Sequence, residues 1–366
     1  MKKYSTLILS FIATLCFAQP DNRPQAPVAP FPYNIEAFQF ENKQVGITLH
    51  GTLTLPEGEG PFPAAILISG SGPTDRDQTI YDHKTFSVIA DYLTRQGIAV
   101  LRYDDRGVGE SEGNHFAATS MDLADDTHAA LISLARHGKI DAKHIGLIGH
   151  SEGGMIAPIV ASKTEAIDYL VMLAGPGVPI ADLMSLQNRK VYESMGLPEN
   201  ELDRNETYNH QLYDILDTNE PISELYDTLL PLIHGYYESI PEEYQSLFGP
   251  SKEMYYISIM GAFSSPWFSY FIQFDPTPYL EQVTCPVFAV NGDKDIQVIS
   301  SQNIEAIDSI FASTNHKDYT TRVYPNMNHL FQTCDKCDVA EYQSLEETFS
   351  FSVLADVSKW ILERVN

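Results

Sequence analysis

Basic residues are scarce in this sequence, and their scarcity excludes whole classes of partner. The 366 residues contain 23 Lys and Arg against 49 Asp and Glu, which gives a formal net charge of −26 at pH 7. So much negative charge repels the phosphate backbone of nucleic acids and the surface of anionic membranes. We therefore expect no nucleic-acid partner and no binding to such membranes.

Cysteines and metal-binding motifs are also few. The sequence has four Cys, and only Cys334 and Cys337 are spaced as a pair, whereas a structural zinc site needs four ligands. In an oxidising compartment that pair could close a small disulfide, although the spacing alone does not decide it. Cys285 precedes an apolar strand pattern, which favours a buried core thiol. Because the sequence also lacks a Gly-rich phosphate loop and an H-E-x-x-H motif, we expect neither a metal nor a cofactor.

Long apolar runs are missing apart from residues 7–17. Two lysines precede that run and small residues end it, a pattern typical of a secretory signal peptide over residues 1–18. The run is too short to span a bilayer, which takes roughly 20 apolar residues. A lipid-modified Cys16 is the alternative, and the bulky Leu15 before it disfavours that reading. We expect an exported protein, periplasmic or extracellular, without a membrane span.

Strand and helix patterns alternate over most of the remaining chain. This alternation predicts a mainly parallel sheet covered by helices on both faces. Ser120 is the predicted N-cap of the second helix. The predicted strands cover residues 36–41, 46–55, 64–69, 98–103, 144–149, 168–173, 286–291 and 319–324. The predicted helices cover residues 83–96, 120–137, 151–162, 300–312 and 345–365.

Residues 178–275 interrupt the alternation. They carry 16 acidic against 4 basic residues, half of the 20 tyrosines and mostly helical periodicity. We interpret them as a helical cap inserted into the α/β core, because the strand–helix pattern resumes afterwards without a second linker; a separate domain is the alternative. The predicted division is a signal peptide (1–18), a Pro-rich linker (19–34), the first part of the core (35–177), the cap (178–275) and the second part of the core (276–366).

A G-x-S-x-G pattern lies between a predicted strand and a predicted helix, the setting that such a motif requires. Gly149, Ser151 and Gly153 form it. A serine on so tight a turn has a strained backbone, and the residues around it must lack a Cβ. The turn exposes the hydroxyl at the carboxyl edge of the sheet, and the next helix directs its N-terminus towards a developing oxyanion. The pattern predicts Ser151 as a nucleophile, against an ordinary serine in a Gly-rich turn.

Two later loops supply residues that would activate this serine. A serine nucleophile needs a base, the base needs an orienting carboxylate, and after such a turn the chain order is serine, acid, histidine. The loop after strand 286–291 offers Asp293 and Asp295, and an acid three residues after the glycine of the loop selects Asp295. The loop after strand 319–324 offers His329 as the base. Taken singly, the aspartate could cap a helix and the histidine could be merely solvated.

An oxyanion hole completes the predicted site. It needs two backbone N–H groups, one from the residue after the nucleophile and one from the loop after an earlier strand. Glu152 supplies the first. We assign the second to Ser71, which lies between two glycines; Pro73 in the same loop cannot donate. The alternative is a merely flexible Gly-Ser turn.

Acidic and arginine residues recur in two further loops at the same sheet edge. They are Asp75, Arg76, Asp77, Asp104, Asp105 and Arg106. They could shape the mouth of a pocket, but repeated carboxylate–arginine pairs favour a buried ion-pair network that braces the loops.

Together these motifs resemble the α/β-hydrolase superfamily, and specifically the EstD-type secreted esterases related to the serine aminopeptidase (S33) hydrolases. The resemblance implies an α/β-hydrolase fold with an inserted helical cap, and hydrolysis of carboxylic esters. Because the cap of this family varies, it does not identify the substrate. The matching stretches span nearly the whole mature chain: 69–77, 103–111, 149–154, 265–268, 291–298, 328–332 and 359–362.

The leading hypothesis is a serine hydrolase that works through an acyl-enzyme on a small-molecule ester. The cap sequence is acidic and has sixteen aromatic residues, which favours neutral esters with short acyl chains or aromatic groups. An aminopeptidase or acyl-peptidase is the alternative, since acidic residues could bind a free amino group. A non-catalytic binding protein is a third hypothesis, disfavoured because no triad member is missing.

Overall fold

Ten strands lie in the part of the chain that the structure describes. The computed structural model describes residues 23–216 and 222–365, so the predicted signal peptide lies outside the described residues. The strands are β1 (Tyr33–Asn42), β2 (Ile47–Pro56), β3 (Phe62–Ile68), β4 (Thr79–Ile80), β5 (His83–Lys84), β6 (Ala99–Tyr103), β7 (Ile140–His150), β8 (Leu170–Leu173), β9 (Val287–Gly292) and β10 (Tyr319–Tyr324).

Eight of these strands form one sheet in the order β1-β2-β6-β3-β7-β8-β9-β10, and β4 and β5 form a separate short hairpin. The pairs β1–β2 and β2–β6 are antiparallel. All other pairs in the large sheet are parallel. The predicted mainly parallel sheet is therefore confirmed, and its parallel strands end at a common edge.

Twelve α-helices accompany the strands in the described residues. In the part of the chain that carries the sheet, α1 packs against α12 and α2 packs against α3. The helices are α1 (Thr85–Arg95), α2 (Ser120–Leu134), α3 (Glu152–Ala161), α4 (Ile180–Ser194), α5 (Glu199–Leu216), α6 (Ile222–Ser239), α7 (Glu242–Gln245), α8 (Lys252–Phe263), α9 (Pro266–Ile272), α10 (Thr277–Leu280), α11 (Ser300–Ser313) and α12 (Phe351–Val365). No helix in this described part of the chain combines the length and apolarity that crossing a membrane requires.

Strand sequences match their places in the sheet. The central strand β3 ends in a continuous apolar run whose side chains are fully buried, as expected for a parallel strand covered on both faces. At the edge, β1 has exposed and half-buried side chains along most of its length. On the other side of β3, strand β7 has Gly146. The ring of Tyr169 lies over this glycine, and the Tyr169 hydroxyl donates to the Ala64 carbonyl. The glycine thus makes room for a buried tyrosine.

The chain divides into two compact units. The sheet unit comprises Asn22–Pro179 and Asp275–Asn366, and the helical unit comprises Ile180–Phe274. Within the helical unit, the rings of Tyr208 and Tyr236 stack at 3.8 Å, and the Tyr255 hydroxyl donates to that of Tyr208. Its core is therefore aromatic and partly hydrogen-bonded rather than purely aliphatic.

The N-cap of α2 and the start of the last helix differ from the sequence prediction, and α1 begins at Thr85 instead of residue 83. The N-cap of α2 is Thr119, not Ser120, because the Thr119 side chain and Asp122 form a reciprocal capping box. The last helix begins at Phe351 instead of residue 345. The residues just before it form bends, and the Gln25 side chain accepts hydrogen bonds from the N–H groups of residues 348 and 349.

Replacing Gly146 tests the close packing in β7. A Cβ at this position would lie 2.1 Å from a ring carbon of Tyr169, so Gly146→Ala should lower the free energy of unfolding by about 2–3 kcal/mol. The matched control is Gly138→Ala, where no atom lies within 4 Å of the added Cβ; its change should stay within about 0.5 kcal/mol. Urea denaturation measures both, and equal stabilities would contradict this account of the packing.

Candidate active site

Ser151 lies on a strained turn between β7 and α3. Its φ is 55° and its ψ is −120°, values that a residue with a side chain rarely adopts. The Ser151 N–H donates to the Leu173 carbonyl of the neighbouring strand, at 2.9 Å. A Cβ on Gly149 would lie 2.0 Å from the Gly153 carbonyl oxygen, and one on Gly153 would lie 2.1 Å from that of Ile68. The glycines therefore permit a turn that presents the serine at the carboxyl edge of the sheet.

Asp295 and His329 form a buried hydrogen-bonded pair on the loops after β9 and β10. The Nδ1 atom of His329 lies 2.7 Å from Oδ2 of Asp295. The other carboxylate oxygen accepts from the N–H groups of Gln297 and Val298, at 2.8 and 2.9 Å. A carboxylate held in this way accepts the Nδ1 proton, so the lone pair of the neutral imidazole is on Nε2.

Asp293, the other acid in the loop after β9, has a different partner. It is exposed, and its Oδ1 accepts a hydrogen bond from the Asn326 N–H at 2.6 Å. It therefore fastens the β9 loop to the β10 loop, whereas Asp295 contacts the histidine.

The histidine loop is joined to the strand that carries the serine. The carbonyl oxygen of His329 lies 2.9 Å from Nε2 of His150, the residue before Ser151. The two imidazole rings are 4.8 Å apart, centroid to centroid. The structure thus brings the three residues predicted as a triad to one edge of the sheet.

The two predicted oxyanion donors lie on the segments next to this turn, one in the loop after β3 and one at the start of α3. Ser71 is exposed in the loop after β3, and a Cβ on its neighbour Gly70 would lie 3.2 Å from Cβ of Ser151. Glu152 is the first residue of α3, where backbone N–H groups lack intrahelical acceptors. Its buried side chain accepts a hydrogen bond from Ser120 Oγ at 2.6 Å, which points the carboxylate away from solvent.

Comparisons with known proteins bear on the fold and on the class of reaction. A family model described as serine aminopeptidase, S33, matches residues 82–213. Esterase EstD of Thermotoga maritima is 27% identical over 334 residues, which cover 91% of this chain and 70% of that protein. Polyketide transferase claH of Penicillium crustosum is 32% identical over 153 residues, but these cover only 41% of this chain and 46% of that protein.

Solved structures share the fold at low sequence identity. An alpha/beta hydrolase from Penicillium, GrgF, has a TM-score of 0.53 at 17% identity and covers 90% of this chain and 99% of its own. An esterase of Pyrococcus furiosus has a TM-score of 0.54 at 13% identity and covers 96% of both chains. The chain has the α/β-hydrolase fold. Its relation to EstD extends over most of the described residues.

Asp105 braces the Ser71 loop at the edge of the sheet. One carboxylate oxygen lies 2.8 Å from the Ser69 hydroxyl and the other accepts from the Thr74 N–H at 3.0 Å. The Asp105 N–H in turn donates to the Thr74 carbonyl at 3.1 Å. Burial raises the pKa of Asp105 to about 8, against the opposing effect of these hydrogen bonds. One side chain therefore holds both ends of the loop.

Neighbouring acids pair with arginines, as the sequence pattern favoured. The Arg76 guanidinium donates to both carboxylate oxygens of Asp104. The Nε of Arg106 donates to Asp126 at 2.6 Å, and both of these residues are buried. These groups brace the loops after β3 and β6 and point at each other instead of into a cleft.

One cluster among the described residues has three side chains of the kind that bind metals. Cys334, Cys337 and Glu341 bring their ligand atoms within 4.8 Å of one another. The two cysteines form a disulfide, and Glu341 accepts the N–H groups of residues 335–337. The sulfurs and the carboxylate are thus already engaged, and they stabilise the loop that follows His329.

Sequence reasoning missed Gln78. This side chain is 1% exposed and contacts both the Ser71 loop and His150. Its partners are 8 and 72 residues away in sequence, and no spacing rule connects residues so far apart. A glutamine among turn-forming residues gives no signal of its own.

The raised pKa of Asp105 predicts a pH-dependent stability. The pKa of Asp105 is about 8 in the folded protein and about 3.9 in the unfolded chain. The folded state therefore binds the Asp105 proton more tightly, and the stabilisation from this proton is complete below pH 4 and is lost as the pH rises through 8. In Asp105→Asn the neutral amide imitates the protonated acid and does not titrate, so the stability of this variant does not fall in the same way as the pH rises. The Tm of the variant should therefore rise relative to that of the wild type between pH 5 and pH 8. A Tm difference that is constant across this range would contradict the assignment.

Proposed function

We propose that this α/β-hydrolase is a serine-dependent carboxylic ester hydrolase with Ser151, His329 and Asp295 as its catalytic triad. The observation that carries the proposal is the buried 2.7 Å hydrogen bond between Asp295 and His329, on loops at the same sheet edge as the strained Ser151 turn. The relation to an esterase over 91% of the chain supports the reaction class.

In the proposed mechanism, the Ser151 hydroxyl attacks the acyl carbonyl of the ester. His329 accepts the hydroxyl proton at Nε2 and then delivers it to the departing alcohol, which leaves an acyl-enzyme. Asp295 keeps the Nδ1 proton in place and stabilises the imidazolium that forms. Water then attacks the acyl group by the same route, and the acid and free serine are released.

The negative charge on the carbonyl oxygen needs donors that are fixed in advance. The proposal assigns this role to the backbone N–H groups of Glu152 and Ser71. The first lies at the start of α3, where the helix dipole adds partial positive charge. The loop of the second is held by Asp105. One such donor contributes roughly 10²- to 10³-fold to turnover.

An exopeptidase is the second candidate, and the match to the serine aminopeptidase model favours it. An aminopeptidase needs carboxylates that bind a free α-amino group. In the described sheet unit, the buried acids near Ser151 already have partners: Asp104, Asp105 and Asp126 bind arginine, hydroxyl or backbone groups. This pairing favours ester hydrolysis over recognition of an amino terminus.

For the substrate, we propose neutral esters with short acyl chains or aromatic groups. The net charge of −26 repels anionic esters, and phosphate-bearing thioesters most strongly. Nine of the sixteen aromatic residues between 178 and 275 are buried. More than half of the aromatic residues of that segment are therefore core residues. Trp267, Phe268 and Tyr270 on α9 are half-buried.

We also propose that the protein is exported. The Cys334–Cys337 disulfide supports this, because such bonds persist in oxidising compartments. The signal-peptide pattern of residues 1–18 remains a prediction from the sequence.

Substitutions in the triad test the mechanism. Ser151→Ala should abolish hydrolysis of p-nitrophenyl acetate, since the nucleophile is lost. Asp295→Asn should lower kcat by about 10³- to 10⁴-fold, because the amide cannot hold the required imidazole tautomer. Stopped-flow or steady-state release of p-nitrophenol measures both.

Asp293→Asn is the matched control, as it is the same change two residues away. It should retain kcat within about threefold, because Asp293 contacts the Asn326 backbone and not the histidine. If the two aspartate variants ranked in the opposite order, the acid would be Asp293. Wild-type turnover in Ser151→Ala would overturn the mechanism.

A panel of substrates tests the specificity. Values of kcat/KM should be highest for p-nitrophenyl acetate, for butyrate or for a feruloyl ester, and should fall towards palmitate. An acyl-CoA and an aminoacyl-p-nitroanilide should be poor substrates. Preference for the acyl-CoA or for palmitate would contradict the proposed substrate class, and preference for the anilide would favour the exopeptidase.

A further inference from the structure

Gln78 lies buried in the loop between β3 and β4, in an unusual conformation. Its φ is 48°, a left-handed value that glutamine rarely adopts. The Asp75 carboxylate holds this turn by accepting hydrogen bonds from the N–H groups of Asp77 and Thr79, at 3.1 and 2.9 Å. The side chain of Gln78 is thereby directed inwards, where it is 1% exposed.

Both ends of the Gln78 amide are engaged. Its Oε1 accepts the Gly70 N–H at 3.1 Å, and its Nε2 lies 3.1 Å from Nδ1 of His150. The other ring nitrogen of His150 lies 2.9 Å from the carbonyl oxygen of His329. A continuous chain of hydrogen bonds, buried except at Gly70, therefore runs from Gly70 to His329. We call it the Gln78–His150 relay.

The chemistry of its two ends fixes the direction of every bond in the relay. A carbonyl oxygen only accepts, so His150 must donate to His329 from Nε2. In the neutral imidazole the lone pair is then on Nδ1, which accepts from Nε2 of Gln78. The Oε1 atom of Gln78 then accepts from the Gly70 N–H, which can only donate. No other orientation of the Gln78 amide satisfies all partners.

A protonated His150 would disrupt this arrangement. Its Nδ1 would then carry a hydrogen that faces the Nε2 hydrogens of Gln78, so two donors would meet. Rotating the Gln78 amide by half a turn would relieve that clash but would turn the Nε2 hydrogens towards the Gly70 N–H, which is also a donor. Burial, together with the nearby His329, lowers the pKa of His150 to about 3. The relay is therefore complete at every pH at which an esterase triad works.

The relay joins the three loops that the proposed mechanism uses. Gly70 precedes Ser71, His150 precedes Ser151, and His329 is the proposed base. We propose that Gln78 and His150 are positioning residues that fix the spacing between the oxyanion loop, the nucleophile and the base. The inference rests on the proposed function and deepens it. By engaging the Gly70 N–H, the relay sets the orientation of the next peptide, which carries the Ser71 donor.

Gln78→Met tests the relay, because it keeps the volume of the side chain and removes both hydrogen bonds. It should lower kcat for p-nitrophenyl acetate by about 10- to 100-fold, since small displacements of catalytic groups have costs of this size. KM should stay within about threefold. Gln78→Glu should recover most of kcat. Its carboxyl can accept from Gly70 and still share one proton with His150.

Gln25→Met is the matched control. Gln25 also makes half-buried hydrogen bonds to backbone, with residues 348 and 349, but none of those bonds involves the relay. It should lower Tm and leave kcat per folded molecule unchanged, with the folded fraction measured by circular dichroism.

Three outcomes would overturn the proposal. One is a wild-type kcat in Gln78→Met. Another is a loss of activity in Gln78→Met that, as in Gln25→Met, is fully explained by a smaller folded fraction. The third is failure of Gln78→Glu to recover activity. Wild-type turnover in Ser151→Ala would instead show that the proposed function itself is wrong. The positioning role of the relay would then have no basis either.

Discussion

At the turn from β7 into α3, backbone atoms of neighbouring segments lie closer together than any side chain would allow. A Cβ on Gly149 or Gly153 would lie about 2 Å from a carbonyl oxygen, and one on Gly154 would lie 2.6 Å from the Gly175 Cα. This close approach lets α3 start directly behind Ser151 and holds its φ at 55°. The positions of the helix N-terminus, the serine and the loop after β3 all depend on it.

Buried polar groups then set the loops around that turn. The loop after β3 is held by Asp105 at its two ends and by Gln78 in the middle. The loop after β10 is held by Asp293, by the Cys334–Cys337 disulfide and by hydrogen bonds to Glu341. Each of these groups is satisfied by a fixed partner. Loops braced in this way can keep catalytic groups in place without a regular element beneath them.

The helical unit follows a different physical scheme. Tyrosines form much of its core, and their hydroxyls are paired with one another or with amides: Asn205 donates to Tyr236, and Tyr255 donates to Tyr208. Many aromatic side chains that could bind a ligand in an open cleft are therefore core residues. On its surface, Arg189 pairs with Glu199, Asp203 and Glu206, so this arginine holds α4 to α5.

Local pattern and chain order allowed the sequence to predict much of this molecule. Apolar runs and their spacing predicted the mainly parallel sheet, and the G-x-S-x-G pattern predicted the turn at Ser151, because both depend on residues adjacent in the chain. Chain order selected Asp295 and His329, which the structure joins at 2.7 Å. Only the tertiary structure decided the Cys334–Cys337 disulfide, the late start of α12 and the relay through Gln78 and His150. Each of these depends on the distance and direction between groups that the chain brings together only when it folds, and such geometry leaves no periodic trace in a sequence.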